Sequence, residues 1–393
     1  MKPHARVAVA LPRSGIREVM ELASTMDGVI HLEVGEPSFR TPGHIIDAAM
    51  AAAREGRTRY TPNLGLPGVR HAVADRYAAR WGRPVGIEQV LVGAGAVNAI
   101  AATVFALCEE GDEVLVPDPG WPNYVGIVAL ARATVVRYPL RPEHGYLPDP
   151  AELAALVTPR TKLLIACNPS NPTGAVFPAE TVASLVEFCR ERDLWLLSDE
   201  IYEDLLFDGL RHVPAARFGD DRVISVSGCS KSYAMTGWRL GWAIGDADLI
   251  KLAGKVEEGL VSCASSVSQC AAEAALRGPQ ACVEEMRAAY ERRRDLVRDR
   301  LAPAGLLPAT PHGAFYAMVD LRGAGRPSRE LVVDLLREER VAVAPGATFG
   351  DVAEGMVRVS LASSEADLAE GCERIVRFAR RHGAGQLAAA TAG

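Results

Sequence analysis

No apolar run in this chain approaches the roughly 20 residues that a membrane-spanning helix requires. The start, MKPHARVAVALPRSG, is basic, but its apolar stretch is too short for a secretory signal. Positive charge is not in excess either. Lys and Arg number 43 against 49 Asp and Glu, a net of −6, which excludes a general basic surface for nucleic acid. The dense basic run Arg292–Arg294 has Glu291 and Asp295 as neighbours and reads as a solvated helix face. Cysteine motifs are missing too: eight cysteines are scattered, with no C-x-x-C pair and no zinc-like Cys/His spacing. Several lie in apolar segments, so buried reduced thiols are expected. No internal repeat is found. These absences describe a cytoplasmic protein with neither a membrane nor a nucleic acid as partner.

What is present is enough chain for a large core: 393 residues, implying two or three domains. From Val90 onward, short β-rich runs alternate with apolar helical patterns. The runs are Gln89–Val92, Glu113–Pro117, Thr134–Tyr138, Lys162–Cys167, Leu194–Ser198, Val223–Ser227 and Leu240–Ile244. Helical patterns lie between most of them, at Val97–Glu109, Trp121–Ala131, Ala151–Val157 and Pro178–Arg192. Such alternation predicts an α/β domain with a mostly parallel seven-stranded sheet between helices. Continuous apolar strands such as LLIA at 163–166 fit a sheet covered on both faces. A long amphipathic helix over Val283–Leu301 leads into a smaller α+β domain. There, Ala314–Val319, Val341–Ala344 and Met356–Leu361 read as strands, and Glu330–Glu339 and Glu365–Arg380 as helices. The expected division is 1–48, an N-terminal segment shared with the small domain, then 49–285, the large domain, and 286–393, the small one. The small-residue tail Gly383–Gly393 is expected to fray.

The chemistry gathers where strands end. Ser227–Gly241, SGCSKSYAMTGWRLG, carries Lys231 between apolar strands, which suggests an amine held inside the protein. Burial disfavours the ammonium form, and a neutral amine attacks carbonyls to form a Schiff base. A lysine ending a strand at a wet rim explains the stretch as well. The other strand ends carry Gly93–Asn98 opening an apolar helix, Gly120-Trp121, Asn168–Gly174 with its two Asn-Pro steps, and Asp199-Glu200-Ile201-Tyr202. A tight turn, a core tryptophan or a rigid loop accounts for any one of them. Ligands of open α/β sheets bind beyond the carboxyl ends of the strands. An acid, a phenol, an amide, an indole, a lysine and the arginine Arg239 at one sheet edge are hard to attribute to packing.

With these residues in their order, the chain resembles the pyridoxal-phosphate enzymes of the aspartate-aminotransferase superfamily, class I/II and fold type I. The motifs are Asn171-Pro172-Thr173-Gly174, Asp199-x-x-Tyr202 and Ser230-Lys231 followed by Arg239, and the resemblance runs from about Ser14 to Arg380. It implies an aminotransferase moving an amino group from an α-amino acid to a 2-oxo acid through pyridoxamine phosphate. Lys231 would form the aldimine and shuttle the proton. Asp199 would pair with the pyridine nitrogen, while Tyr202 and Asn171 would bond the ring's phenolic oxygen. Trp121 would stack on the ring. Arg239, Ser230 and the N–H groups of Ala96 and Val97 would hold the phosphate. Tyr60 would reach the phosphate of a partner subunit, implying a homodimer with shared active sites. Arg358 would bind the substrate α-carboxylate bidentately, with Gly35 lining the pocket and the Ile16 segment closing it.

The sequence departs from the family pattern at two points. Many relatives carry a serine three residues before the lysine, and here that position is Gly228. Ser230 or Ser227 would have to substitute. Some aspartate-specific relatives carry a cation on the helix after the glycine turn, whereas Val97–Leu107 has neither Lys nor Arg. A second substrate carboxylate would then be buried unpaired, at a cost. The reading favours a neutral or aromatic amino donor, unless Arg13 or the other subunit supplies the charge. A β-eliminating carbon–sulfur lyase, a related α/β-eliminating enzyme or a cyclopropane-forming synthase on the same scaffold remains open. A non-catalytic sensor resembling the aminotransferase-like transcription regulators would need an added DNA-binding domain, for which a pattern starting by about residue 14 leaves no room.

Overall fold

The computed structural model describes residues 2–11, 13–219 and 221–384. Most of the expected tail, 385–393, lies outside the described residues. The strands are β1 (Ile30–His31), β2 (Val90–Gly93), β3 (Glu113–Asp118), β4 (Thr134–Pro139), β5 (Thr161–Cys167), β6 (Trp195–Asp199), β7 (Val223–Gly228), β8 (Gly241–Ile244), β9 (Tyr316–Asp320), β10 (Val341–Ala342), β11 (Ala344–Pro345) and β12 (Met356–Ser360). Seven of them form the large sheet in the order β2-β8-β7-β6-β5-β3-β4. All pairings in it are parallel except the two made by β8. This is the mostly parallel sheet that the alternating pattern predicts.

Both faces of that sheet are covered. Leu163, Ile165 and Cys167 of β5 enter one core with Ile100, Tyr124 and Ile250 from the helices Ala96–Leu107, Asn123–Leu130 and Ala247–Val261. Leu164 and Ala166 enter the opposite core with Ile45, Val73, Leu185 and Ala271. The period-two pleat thus feeds two cores from one continuous apolar run. The helices Ala247–Val261 and Ser266–Arg277 go beyond the segments read from the sequence. The start of the first is marked by Asp246, whose carboxylate accepts from Asp248 N and Leu249 N.

The helix Ala281–Leu301 joins the two parts of the molecule. Its Val283 packs in the large sheet's core, while Met286, Tyr290, Val297 and Leu301 lie in a third core around β9 and β12. The smaller sheet is antiparallel, ordered β11-β12-β9. One expectation changes here. Val341–Ala344 reads as a single strand, yet it serves two sheets: β10 pairs parallel with β1, and β11 pairs antiparallel with β12. An unbroken apolar run carries no mark of where the chain changes partner.

Candidate active site

The site forms where the carboxyl ends of the parallel strands meet the smaller sheet. β8 runs the other way, so its first residue, Gly241, pairs with both Gly93 and Gly228 at that same edge. Arg239, just before β8, is carried there with it. A cavity of about 410 Å³ opens here. Its lining includes Ile16, Gly35, Ala96, Val97, Trp121, Asn171, Asp199, Tyr202, Ser230, Lys231, Arg239 and Arg358. Tyr60 is not brought there: it is 91% exposed, on the loop between the helices Gly43–Arg54 and Pro67–Trp81.

Lys231 donates from Nζ to the Gly35 carbonyl at 2.7 Å. Burial, and then the neighbouring Arg358 cation, bring its amine down to about 8. Asp199, the last residue of β6, is raised to about 6, chiefly by burial. Its Oδ2 accepts from the Tyr124 hydroxyl at 2.6 Å, and its Oδ1 from Ile201 N at 3.2 Å. The Tyr202 and Tyr316 hydroxyls lie 3.0 Å apart. Burial raises the pKa of both phenols.

Arg358, on β12, is 2% exposed. It donates from Nη1 to Asn171 Oδ1 at 3.1 Å and from Nη2 to the Glu33 carbonyl at 2.6 Å. Both acceptors are uncharged, and its Nε finds no acceptor among the described residues. A buried guanidinium without a carboxylate partner is expensive, and the open cavity is where an anion reaches it. Because Asn171 spends its oxygen on Arg358, its NH2 is left to donate into the cavity.

At the opposite end, the helix Ala96–Leu107 starts against the cavity with no acidic residue in its first turn. Its first N–H groups have no intrahelical acceptor. Glycine makes the cradle possible: a Cβ at Gly241 would lie 2.3 Å from Ala96 N, and one at Gly95, where φ is +92°, would lie 2.6 Å from Arg239 Nη2. The alternatives at the lysine loop also resolve. A Cβ at Gly228 would come within 2.9 Å of the Gly241 Cα and the Leu240 carbonyl, so close strand packing excludes a side chain there. Ser227 turns away to Glu203 Oε1 at 3.0 Å, whereas Ser230 lines the cavity.

Six cavity residues, Glu36, Tyr124, Cys167, Ile201, Thr236 and Tyr316, were not marked as site residues by sequence reasoning. Tyr124 had a usable signal, since it stands one helical turn beyond Trp121 and meets its ring edge-on at 5.3 Å. Tyr316 had none, because it comes from the smaller sheet. Arg13 is not among the lining residues, so among the described residues no further Lys or Arg joins Lys231, Arg239 and Arg358 there.

A family model described as aminotransferase class I and II matches residues 27–375. The aspartate aminotransferase of Pyrococcus horikoshii is 38% identical over 374 residues, 94% of this chain and 96% of that protein. The chain belongs to the class I and II aminotransferases. An arginine–pyruvate transaminase of Pseudomonas aeruginosa is 40% identical over 349 residues, 88% of this chain and 89% of its own. A solved single mutant of the Thermus thermophilus aspartate aminotransferase superposes with a TM-score of 0.92 at 37% identity, covering 96% of this chain and all of that one. The enzyme is therefore a transaminase acting between amino acids and 2-oxo acids, and these enzymes depend on pyridoxal phosphate.

The cavity fits that cofactor. Unpaired helix N–H groups beside Arg239 suit a phosphate. A buried carboxylate held by Tyr124 suits a protonated ring nitrogen. A lysine amine brought down to about 8 suits a carbonyl partner.

Proposed function

We propose that Lys231, Asp199 and Tyr202 carry the transamination, with Arg358 as the seat of the substrate α-carboxylate and a neutral or aromatic α-amino acid as donor. The single observation behind the reading is the buried guanidinium of Arg358, with no carboxylate in ion-pair contact among the described residues, in the same cavity as a lysine amine near 8.

Bound here, pyridoxal phosphate supplies a cationic ring that draws in the electrons left when the substrate's Cα–H bond breaks, and it carries the amine between the two half-reactions. Asp199, ionised at neutral pH, would hold the proton on the ring nitrogen. Tyr202 OH and Asn171 NH2 would donate to the ring's phenolic oxygen. Trp121 would pack against the ring, and Arg239, Ser230 and the N–H groups of Ala96 and Val97 would hold the phosphate. Arg358 fixes the carboxylate, which orients the Cα–H bond and leaves the carboxylate in place. Lys231 Nζ, as the free amine, takes the Cα proton.

The donor class rests on the wall formed by Val97, Ile16 and Trp121. No cation is left over for a second carboxylate, which would pay desolvation without repayment. Glu36, which lines the cavity together with Asp199, is engaged by Thr236 Oγ1 at 2.5 Å. Relatives named for aspartate and for arginine with pyruvate differ in donor, so the pocket decides the assignment. A homodimer belongs to the same reading: Tyr60, exposed in the single chain, reaches the partner subunit's phosphate.

The test is a panel of amino donors against 2-oxoglutarate, pyruvate and oxaloacetate. Leucine-like or aromatic donors are expected to exceed aspartate in kcat/KM by about tenfold, the value of one unpaired group in a pocket. Aspartate as the best donor would sink the substrate assignment. Release of pyruvate and ammonia without an acceptor would sink the transaminase roles.

A further inference from the structure

We propose that Tyr316 is a positioning residue that holds the Arg358 guanidinium and the Tyr202 hydroxyl in one fixed relation. The inference rests on the roles given above to those two residues. Tyr316 opens β9, and its backbone pairs with Ser360 of β12. Arg358 stands two residues before Ser360, so the pleat sets Tyr316 and Arg358 as diagonal neighbours on one face. The Arg358 guanidinium carbon lies 4.3 Å from the Tyr316 ring centroid, and the Phe349 ring lies 4.8 Å from that same carbon. Aromatic rings therefore support a cation that has no acid in ion-pair contact among the described residues.

The hydroxyl end of Tyr316 has a second task. It lies 3.0 Å from the Tyr202 hydroxyl, and the two rings meet edge-on at 5.7 Å and 84°. A Tyr202 hydroxyl that donates to a ligand must accept from Tyr316. That acceptance makes it a stronger donor, as in any hydrogen-bond chain. Gly35 is part of the device. A Cβ there would stand 2.2 Å from the Tyr316 hydroxyl, while the Gly35 carbonyl takes the Lys231 amine at 2.7 Å. One side chain from the smaller sheet thus meets Arg358, Tyr202 and the backbone that holds Lys231.

The experiment separates the ring from the hydroxyl in the purified holoenzyme. Tyr316→Phe keeps the ring, so KM for the amino donor stays within about twofold. Without the donated hydrogen bond, Tyr202 stabilises the ring oxygen's anion less. The pH midpoint of the resting holoenzyme's visible absorbance then rises by roughly 0.5–1 unit, the size of one hydrogen bond. In a Tyr202→Phe background, adding Tyr316→Phe moves that midpoint no further. Tyr316→Leu, checked for folding by thermal unfolding, removes the ring as well and raises KM for all donors at least about tenfold. An unchanged midpoint in Tyr316→Phe, or a full second shift in the Tyr202→Phe background, overturns the proposal. Neither result touches transamination itself, which Lys231→Ala tests separately.

Discussion

Lys231 and Arg358 share one cavity with Arg239, and burial lowers the pKa of both, with Arg358 adding to the shift at Lys231. Lys231 is brought to about 8 by burial first and Arg358 second. In the apoprotein, labelling of Lys231 by an amine-selective reagent is expected to rise with a midpoint near pH 8 rather than near 10.5, read by peptide mass mapping. Between those two values the unfolded chain holds a proton that the folded chain has released, so this group makes stability rise with pH across that window. A midpoint above 10 would show an amine in ordinary solvent. Removing the other cation tests the carboxylate seat. Arg358→Ala should cost about 3 kcal/mol of transition-state binding, roughly 100-fold in kcat/KM, for every α-amino acid alike. A loss confined to one donor would mean that Arg358 reads side chains. Lys231, Asp199 and Tyr202 were legible in the sequence because each ends or follows an apolar strand, where a polar residue stands out. Tyr316 was not, since an aromatic in an apolar segment looks like core, and it is indeed buried; Tyr124, buried too, carried only its spacing from Trp121 as a signal.

At the scale of elements, the phosphate end depends on how closely β8 approaches the helix Ala96–Leu107. Gly241 lies against Ala96 N, and backbone cannot yield as a flexible side chain can. Gly241→Ala is therefore expected to push the helix start away from the strand, at a cost in the overpacking range of 1–3 kcal/mol. Cofactor affinity, measured by fluorescence titration of the apoprotein, should fall about tenfold or more. Thermal unfolding of the same variant should fall by only a few degrees if the helix start moves while the sheet stays intact. Unaltered affinity would mean that these N–H groups do not carry the phosphate. The strand–helix alternation of the large sheet was legible because buried parallel strands are continuous apolar runs with helices between them. The change of partner between β10 and β11 was not, because alternate positions of that short run are all apolar.

For the whole molecule, the exposed Tyr60 makes a statement about assembly that a single chain does not complete. If it serves a neighbour's site, two damaged enzymes can repair each other. Lys231→Ala subunits mixed with Tyr60→Ala subunits, after unfolding and refolding together, should form hybrids. One of the two sites in each hybrid then holds both an intact Lys231 and an intact Tyr60. Activity is expected to exceed the sum of the separate preparations several-fold. Sedimentation should report a dimer. Simple additivity in the mixture would place Tyr60 outside any shared site.

The sequence by itself determined the strand–helix alternation of the large sheet, its cover on both faces and most of the polar residues at its edge. Those properties are local: periodicity, breaker residues and motifs are read within a few turns of chain. Tertiary structure alone decided which of those residues touch. Tyr124 meets Asp199 across 75 positions, Tyr202 meets Tyr316 across 114, and Asn171 meets Arg358 across 187. Such pairs exist because a crossover sheet and a second, antiparallel one converge on a single cavity, and no local pattern encodes that convergence.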